Sequence, residues 1–580
     1  MHIPTRAAGL PEPPLLKQIR TSVIGDDTVM PGPYGHRRVT YADYTASGRA
    51  LTFIEEFIHD QVLPRYANTH TESSGTGRQT TRLREDARRI IAEALNGDDD
   101  TRVIFCGAGA TGAIDRLVAV LGLRMPSAIE DRYHLTDHIP ADERPVVFTG
   151  PFEHHSNELP WRESIAEIVR IPEDADGHID QQALARELER FAGRPLRIGA
   201  FSAASNVTGI VSDTYGISTL LHQHDALAIW DFAAAAPYVD IDMVAPHGEN
   251  PLAYKDAIVL SPHKFVGGPG TPGVLAIRRQ LLTNRVPAVV GGGTVAYVNP
   301  EEHVYLADPV QREEAGTPAI VESIRAGLVF QLKAAVGTSV IHAHEADFVR
   351  RAIAAWTEVP EIEVLGNVDA PRLSIVSFVM RRPDGRYLHH NAVVALLNDL
   401  FGIQARGGCS CAGPYGHRLL GIDIERSHEY ERAITAGCEG IKPGWVRVNF
   451  NYFIDEEVFR YVVRAITFIA RHGHRFLTDY TFDPDTGLWR HHSEPDDVPV
   501  RLTQLSYDDG GQLTQPALPD RADISMLSQY LREAEQLLVA RGESSPERQA
   551  QFSTDFDALR WFELPAVCLT GNAPIGDRTT

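Results

Sequence analysis

Between about residue 41 and residue 280, short apolar runs alternate with segments whose apolar residues recur every three to four positions. Residues 81–97 illustrate the second pattern, because their apolar side chains repeat at helical spacing before the stop signal Asn96-Gly97. The apolar runs predict five β-strands: VIF (103–105), VVF (146–148), RIGAF (197–201), ALAIW (226–230) and AIVL (257–260). Strands that alternate with helices in this way predict an α/β fold whose sheet is covered on both faces.

Loops rich in glycine and polar residues follow most of these strands, and ligands of open α/β sheets bind beyond the carboxyl ends of the strands. In FCGAGATGAID, Gly107 and Gly109 allow a tight turn into a helix whose first amides, at Ala110 and Thr111, can hold a phosphate. A glycine-rich turn of purely structural origin is the alternative. The pattern therefore indicates an anion site only if other loops supply matching chemistry.

The loop FEHHSNELPW contains adjacent histidines, His154 and His155. No cysteine or carboxylate at metal-ligand spacing accompanies them, so we expect no metal. The two histidines are either exposed loop residues, or His154 lies flat against an aromatic cofactor.

Two further loops carry an acid and an amine at the ends of neighbouring predicted strands. Asp231 follows a strand in IWDFAAAAPYVDIDM, and Lys264 follows the next strand in AIVLSPHKFVGGPG. An isolated pair of this kind would most simply be a structural ion pair. Together with an anion site, however, it matches the needs of pyridoxal phosphate (PLP), namely a lysine for the imine, an acid for the ring nitrogen and a phosphate cradle.

Composition narrows the class of partner. The 580 residues are 43% hydrophobic and carry 55 Lys plus Arg against 77 Asp plus Glu, a net charge of −22. This balance argues against nucleic acid or an anionic membrane as partner and favours a small molecule or another protein. The first 20 residues lack the apolar run of a signal peptide, and no apolar stretch of about 18 residues occurs. We therefore expect a cytoplasmic protein of more than one domain with reduced thiols.

The order of motifs resembles the class V aminotransferase fold family, and within it the cysteine desulfurases and selenocysteine lyases. The resemblance is carried by YADYTASG, GATGAID, EHHSNELPW, SAASNVTGI, WDFAAAAPYVDIDM, SPHKFVGGPGTPGVL, GGGTV, EEAGTPAI, ARGGCSCAGP and VRVNFNYF. It implies PLP-dependent transferase fold type I, an α/β large domain with a mainly parallel sheet and a smaller α+β domain. It also implies a homodimer with active sites at the subunit interface. The expected division is an N-terminal segment (1–40), a large domain (41–329), a small domain (330–477) and an extension (478–580).

The resemblance assigns roles to individual residues. Lys264 would bind PLP covalently, Asp231 would pair with the ring nitrogen, and His154 would stack on the ring. Asn206 would lie near the phenolic oxygen and the substrate. The phosphate would be held by residues of three loops: Ala110, Thr111, Ser261, His263 and, in the neighbouring subunit's site, Thr317. The substrate carboxylate would be bound by Arg447 through a two-pronged pair. Arg406 would be a further substrate-binding residue, and its charge would favour the thiolate of the cysteine loop that follows it.

The loop ARGGCSCAGPYGH (405–417) carries two of the five cysteines. By resemblance to the desulfurases, Cys411 would attack the sulfur of L-cysteine and retain it as a persulfide. Cys409 would relay sulfur, form a transient disulfide or be a small loop residue. The molybdenum cofactor sulfurases also have a Cys-x-Cys in such a loop, which leaves a specialised sulfur-donor role open. The other three thiols are interpreted as inert: Cys106, Cys438 and Cys568.

One departure from the family pattern affects the expected reaction. Where the family usually has a glutamine for the phenolic oxygen, this chain has Ala234. The leading hypothesis is a cysteine desulfurase that forms alanine, with a sulfur-acceptor protein as partner. The alternatives are an aminotransferase, a lyase that cleaves C–S by β-elimination, a selenocysteine lyase, a kynureninase-like hydrolase and a catalytically silent scaffold.

The segment 478–580 lies outside the resemblance. Residues 483–500 are rich in Pro and Asp and predict a linker or a wrapped extended segment. Residues near 524–541 have apolar side chains on one face and predict an amphipathic helix. That helix either packs on its own subunit or docks a sulfur acceptor.

Overall fold

The computed structural model describes residues 3–7, 9, 12–69, 71–493, 500–541 and 554–568. The helices are α1 Pro14–Ser22, α2 Thr52–Phe57, α3 Gly75–Ala94, α4 Gly109–Val120, α5 Ser127–Tyr133, α6 Leu159–Arg162, α7 Gln181–Arg190, α8 Thr214–Gln223, α9 Pro309–Glu313, α10 Ile320–Val336, α11 Thr338–Thr357, α12 His390–Phe401, α13 Gly413–Leu419, α14 Ile424–Thr435, α15 Glu456–His472, α16 Met526–Ala540 and α17 Thr554–Leu559.

The strands of this part of the chain fall into one large sheet, one smaller sheet and several two-stranded pairs. They are β1 Val29–Met30, β2 Arg37–Arg38, β3 Thr40–Tyr41, β4 Thr101–Cys106, β5 Val146–Thr149, β6 Glu167–Arg170, β7 Arg197–Ser202, β8 Leu227–Asp231, β9 Ala257–Leu260, β10 Gly273–Arg278, β11 Val295–Val298, β12 His303–Tyr305, β13 Ile362–Val364, β14 Ile375–Met380, β15 Ile403–Gln404, β16 Arg406–Gly408, β17 Trp445–Asn449, β18 Tyr480–Phe482, β19 Trp489–His491, β20 Ser506–Tyr507 and β21 Leu513–Thr514.

The large sheet has seven strands in the order β4-β10-β9-β8-β7-β5-β6. Its strands run parallel except β10, which is antiparallel to both neighbours. All five predicted strands are confirmed within it. The sheet has a hydrophobic core on each face, and successive side chains of a strand pack in opposite cores. In β4, Ile104 packs with α4 on one face, while Phe105 packs in the core on the other face. Burial on both faces explains why the strands appear in the sequence as continuous apolar runs.

The helix predicted over 81–97 was placed too late. Helix α3 begins at Gly75, after Ser74, whose hydroxyl accepts a hydrogen bond from the amide of Gly77. Its first turns contain glycine and polar residues, so they carry no apolar periodicity. Helix α3 packs closely against α10, because a Cβ added to Gly327 of α10 would lie 2.7 Å from Ala87 of α3. This packing stabilises a helix that the apolar pattern of the sequence shows only in part.

The smaller sheet, β13-β14-β17-β16, is antiparallel and packs against α11, α12 and α15. The boundary predicted near residue 330 falls inside α10. The N-terminal segment meets this part of the fold where β3 pairs in parallel with β15.

Among the described helices, none is alone long and apolar enough to cross a bilayer. Only α10 and α11 taken together, with a bend of 77° between them, are long and apolar enough.

The extension packs on the core of the smaller sheet. Helix α16 buries Leu527, Tyr530, Leu531 and Ala534 there, so its apolar face packs on its own subunit.

The interpretation of 483–500 as a linker was wrong for its first part, because β18 and β19 form a hairpin with Trp489 buried. The Asp483 side chain stabilises the turn by accepting from Asp485 and Thr486. Residues 494–499 of the segment lie outside the described residues.

Candidate active site

A cavity of about 890 Å³ lies at the carboxyl ends of β4, β7, β8 and β9. Its volume is within the range of small-molecule and cofactor sites. All the candidate residues except Cys411 line it: Ala110, Thr111, His154, Asn206, Asp231, Ser261, His263, Lys264, Thr317, Arg406 and Arg447. Residues separated by more than 300 positions in the chain thus meet in one site.

One end of the cavity is built to accept an anion. Gly109 has a φ of +55°, and a Cβ there would lie 3.0 Å from Ser261 Oγ and 3.4 Å from His263 Nε2. The amide of Ala110, in the first turn of α4, donates to Ser261 Oγ at 2.8 Å. Burial lowers the pKa of His263 to about 4, so its ring is neutral at pH 7. The helix N-terminus, a hydroxyl and an imidazole therefore converge at this end, as a phosphate requires.

The acid and the amine lie at the ends of adjacent parallel strands. Asp231 ends β8, is fully buried and accepts a hydrogen bond from the amide of Ala233 at 2.8 Å. Burial raises the pKa of Asp231 above its usual value. Lys264 lies just beyond β9, and burial lowers the pKa of its amine to about 8. The amine is therefore deprotonated more readily than an ordinary lysine, and covalent attachment to a carbonyl requires the neutral form.

His154 forms part of the cavity wall. Its Nδ1 accepts from the amide of Ser156 at 3.1 Å, which places the ring hydrogen on Nε2. Burial lowers the pKa of His154 to about 3, so the ring is uncharged and suited to lie against another ring. The neighbouring Glu153 was missed by the sequence analysis. Its buried carboxyl accepts from Ser202 and Asn157 and fixes this loop to β7.

Two of the arginines that line the cavity lie side by side. Arg406 and Arg447 are direct partners in the register of β16 and β17, an unfavourable arrangement for like charges. Asp43 offsets this repulsion, because its carboxylate lies 2.8 Å from Nη2 of Arg447 and 3.9 Å from Nη1 of Arg406. Arg447 also donates to the carbonyl of Asn206 at 3.0 Å. Asp43 occurs in the motif YADYTASG, but its role was not predicted. Its partner Arg447 lies 404 positions away in the chain, so only the folded structure shows the contact.

We expect Asp43→Ala to lower the free energy of unfolding by about 3 kcal/mol, since removing one partner strands a buried charge. The side chains of Arg447 and Asp43 are only 4% and 15% exposed. Urea denaturation measures the change. The matched control is Asp27→Ala, whose partner Arg521 is 79% exposed, and which should cost less than about 1 kcal/mol. Equal losses in the two variants would contradict a special role for Asp43.

The cysteine loop contributes Ser410, and not Cys411, to the cavity wall. The Nδ2 group of Asn206 donates to the carbonyl of Ser410 at 2.8 Å, and Ser410 is 6% exposed. Cys411 follows on the loop and is half-buried. If Cys411 is the nucleophile, the loop must rearrange to bring its thiol to the cavity.

The other cysteines lie in different settings. Cys106 lines the cavity, but burial raises the pKa of its thiol to about 12. Burial also raises the pKa of Cys438, and the thiol of Cys568 donates to Leu477. Neither Cys438 nor Cys568 is among the residues that line the cavity.

The residues present fit PLP. Asp231 is buried with a single backbone hydrogen bond and would pair with a protonated ring nitrogen. Within the described chain, Asn206 Oδ1 and Arg447 Nε are buried without a hydrogen-bond partner. Both groups are therefore available to form hydrogen bonds with a ligand. Lys264 and the cradle around Gly109 complete the set. Ala234 also lines the cavity, and its methyl group cannot donate to a phenolic oxygen.

Sequence comparisons extend these observations. The family model described as Aminotransferase class-V matches residues 40–426. A probable cysteine desulfurase of Halobacterium salinarum is 27% identical over 392 residues, which cover 67% of this chain and 86% of the relative. A probable cysteine desulfurase 2 of Mycobacterium leprae is 30% identical over 343 residues, which cover 57% of this chain and 76% of the relative.

Solved structures show the same architecture. The apo cysteine desulfurase of Thermococcus onnurineus NA1 aligns with a TM-score of 0.61 at 22% identity, covering 80% of this chain and 100% of that one. The S-sulfonic acid form of an Escherichia coli cysteine desulfurase aligns with a TM-score of 0.58 at 21% identity, covering 78% and 97%. This likeness confirms the prediction of PLP-dependent transferase fold type I.

Proposed function

The chain belongs to the class-V aminotransferase family of PLP-dependent enzymes, and on that basis we propose that it is a cysteine desulfurase. It takes L-cysteine, releases alanine and retains the sulfur as a persulfide on Cys411, from which an acceptor protein removes it. One observation carries the proposal. The cavity that holds Lys264 and Asp231 is bordered by Arg447 and by the loop that bears Cys411.

The chemistry divides among the residues of the cavity. PLP, when bound, supplies an electron sink for charge that develops at the substrate Cα. Asp231 would keep the ring nitrogen protonated, and the neutral ring of His154 would orient the cofactor. The amine of Lys264 would anchor PLP and move a proton at the substrate. Arg447 and Arg406 would bind the substrate carboxylate, with Asp43 holding the two guanidinium groups in place.

The names of the relatives support cysteine as the substrate, because curated relatives at 26–30% identity are described as probable cysteine desulfurases.

The sulfur transfer is balanced without an external oxidant. The C–S bond of cysteine breaks and an S–S bond forms at Cys411. Of the two thiol protons, one is transferred to Cβ of the product and one remains with the persulfide. Cysteine and a protein thiol thus become alanine and a protein persulfide.

A homodimer forms part of the proposal. Thr317 lies at the rim of the cavity, exposed in the single chain, where it accepts a hydrogen bond from Asn68. A second copy would cover this rim and receive Thr317 at its own phosphate site.

Ala234 and the position of Ser410 favour a second candidate, another class V reaction such as transamination or β-elimination. The test is to incubate the PLP-loaded protein with L-cysteine and to measure alanine, sulfide, pyruvate and ammonia. We expect alanine in equal amount to persulfide, or to sulfide when a reductant is added. Pyruvate and ammonia in equal amounts would indicate β-elimination, and a keto acid without sulfur release would indicate transamination.

A further inference from the structure

The adjacent histidines of EHHSN face two different parts of the site. His154 lines the cavity, whereas His155 contacts the cysteine loop. The amide of His155 donates to the carbonyl of Cys411 at 2.8 Å. The Nε2 atom of the same residue accepts from the amide of Gly413 at 3.0 Å. One residue therefore holds the loop backbone on both sides of Ala412.

The segment that His155 holds has an unusual backbone. Ser410 and Cys411 have φ values of +49° and +55°, in the left-handed region that residues with a Cβ rarely adopt. Two such residues in succession persist only where surrounding contacts hold them. Asn206 holds the carbonyl of Ser410, and His155 holds the next carbonyl and the amide that begins α13.

This conformation has a direct consequence for the thiol. With the loop held by Asn206 and His155, Ser410 borders the cavity and Cys411 does not. Gly408 precedes the held segment, and Gly413 is its last residue, the first of α13. The loop can move only when its hydrogen bonds to His155 break together with the hydrogen bond from Asn206 to Ser410.

We propose that His155 is a positioning residue whose neutral ring latches the cysteine loop, and that Cys411 enters the cavity only after this latch opens. The proposal rests on the proposed function, because the latch matters to catalysis only if Cys411 is the nucleophile. The latch itself is a property of the loop and is measurable without substrate.

The charge state of the ring controls the latch. Burial lowers the pKa of His155 below its usual value of 6.5, so at pH 7 Nε2 is free to accept from Gly413. Among charged neighbours, Glu158 favours protonation, while Lys442 and Arg162 oppose it, and the neutral ring of His154 lies 6.3 Å away. A protonated ring has no acceptor at Nε2. Because the latched form prefers the neutral ring, the latch is intact above about pH 6.5 and weakens as the pH falls below it.

The test measures how fast a small disulfide reagent, 2,2′-dithiodipyridine, modifies Cys411 in the PLP-loaded protein. All proteins carry Cys409→Ser, so that the loop peptide reports one thiol by mass spectrometry. His155→Leu removes the acceptor and should speed modification about fivefold, the factor for one lost hydrogen bond. His155→Gln supplies an amide oxygen as acceptor and should stay within about twofold of the parent. Cys438 is the internal reference, and its rate should not change.

A pH series on the parent and the Gln variant provides a second measurement that does not depend on the Leu variant. Both proteins carry the same thiols, so the ratio of their Cys411 rates isolates the titration of the imidazole. We expect a ratio near one at pH 7.5 that rises as the pH falls below about 6.5. An unchanged rate in His155→Leu, or a ratio that stays flat with pH, would overturn the latch. If the latch is found and Cys411→Ser still forms alanine at the parent rate, the proposed function fails and the latch stands.

Discussion

Lys264→Met is expected to abolish covalent attachment of PLP and to lower turnover of cysteine by about 10³-fold. The amine, with a pKa that burial lowers to about 8, lies in the same cavity as Asp231 and the anion cradle. Methionine retains most of the side-chain length and removes the nitrogen. Borohydride reduction followed by mass spectrometry of the peptide that contains residue 264 measures the attachment.

The chain contains a closely matched control at the other end of the same strand. Lys255 precedes β9, is 1% exposed and has a pKa that burial likewise lowers to about 8. Its amine donates to the carbonyl of Asp242 and does not line the cavity. Lys255→Met should therefore keep both the PLP label and turnover. The assignment of Lys264 is wrong if borohydride fixes PLP to Lys264→Met as it does to the parent.

Cys411→Ser is expected to lower alanine formation by at least about 10³-fold while amino-acid binding continues. A serine hydroxyl cannot accept the sulfur of the substrate as a persulfide. Cys411 does not border the cavity in the latched loop, so its loss should leave PLP and the carboxylate-binding arginines in place. The visible spectrum of the cofactor should still change when cysteine is added, and mass spectrometry should find no added sulfur on the loop.

Cys409→Ser is the control, because Cys409 lies two residues away on the same loop. It should retain most alanine formation if Cys409 is only a loop residue, and should lose transfer to an acceptor if it relays sulfur. In the parent protein, a short exposure to cysteine should add sulfur to Cys411. Alanine formation at the parent rate by Cys411→Ser would exclude the persulfide mechanism.

Local pattern identified five of the seven strands of the large sheet, and missed β6 and β10. It also located the loops that carry Asp231 and Lys264, whereas the resemblance supplied most of the other cavity residues. A strand buried on both faces is apolar at every position, as β9 (Ala257–Leu260) shows, so a few residues identify it. Parallel strands place their carboxyl ends at one edge. The residues that follow them, Asp231 and Lys264 among others, therefore meet whatever the details of packing.

Tertiary structure decided the features that depend on contacts between distant segments. Asp43 lies between Arg406 and Arg447, and His155 holds Cys411, although each pair is separated by more than 200 positions. Such contacts leave no periodic signal in the sequence, because the groups that make them are single polar atoms or backbone amides. Their positions follow only when the large and small sheets pack together and bring those atoms within hydrogen-bonding distance.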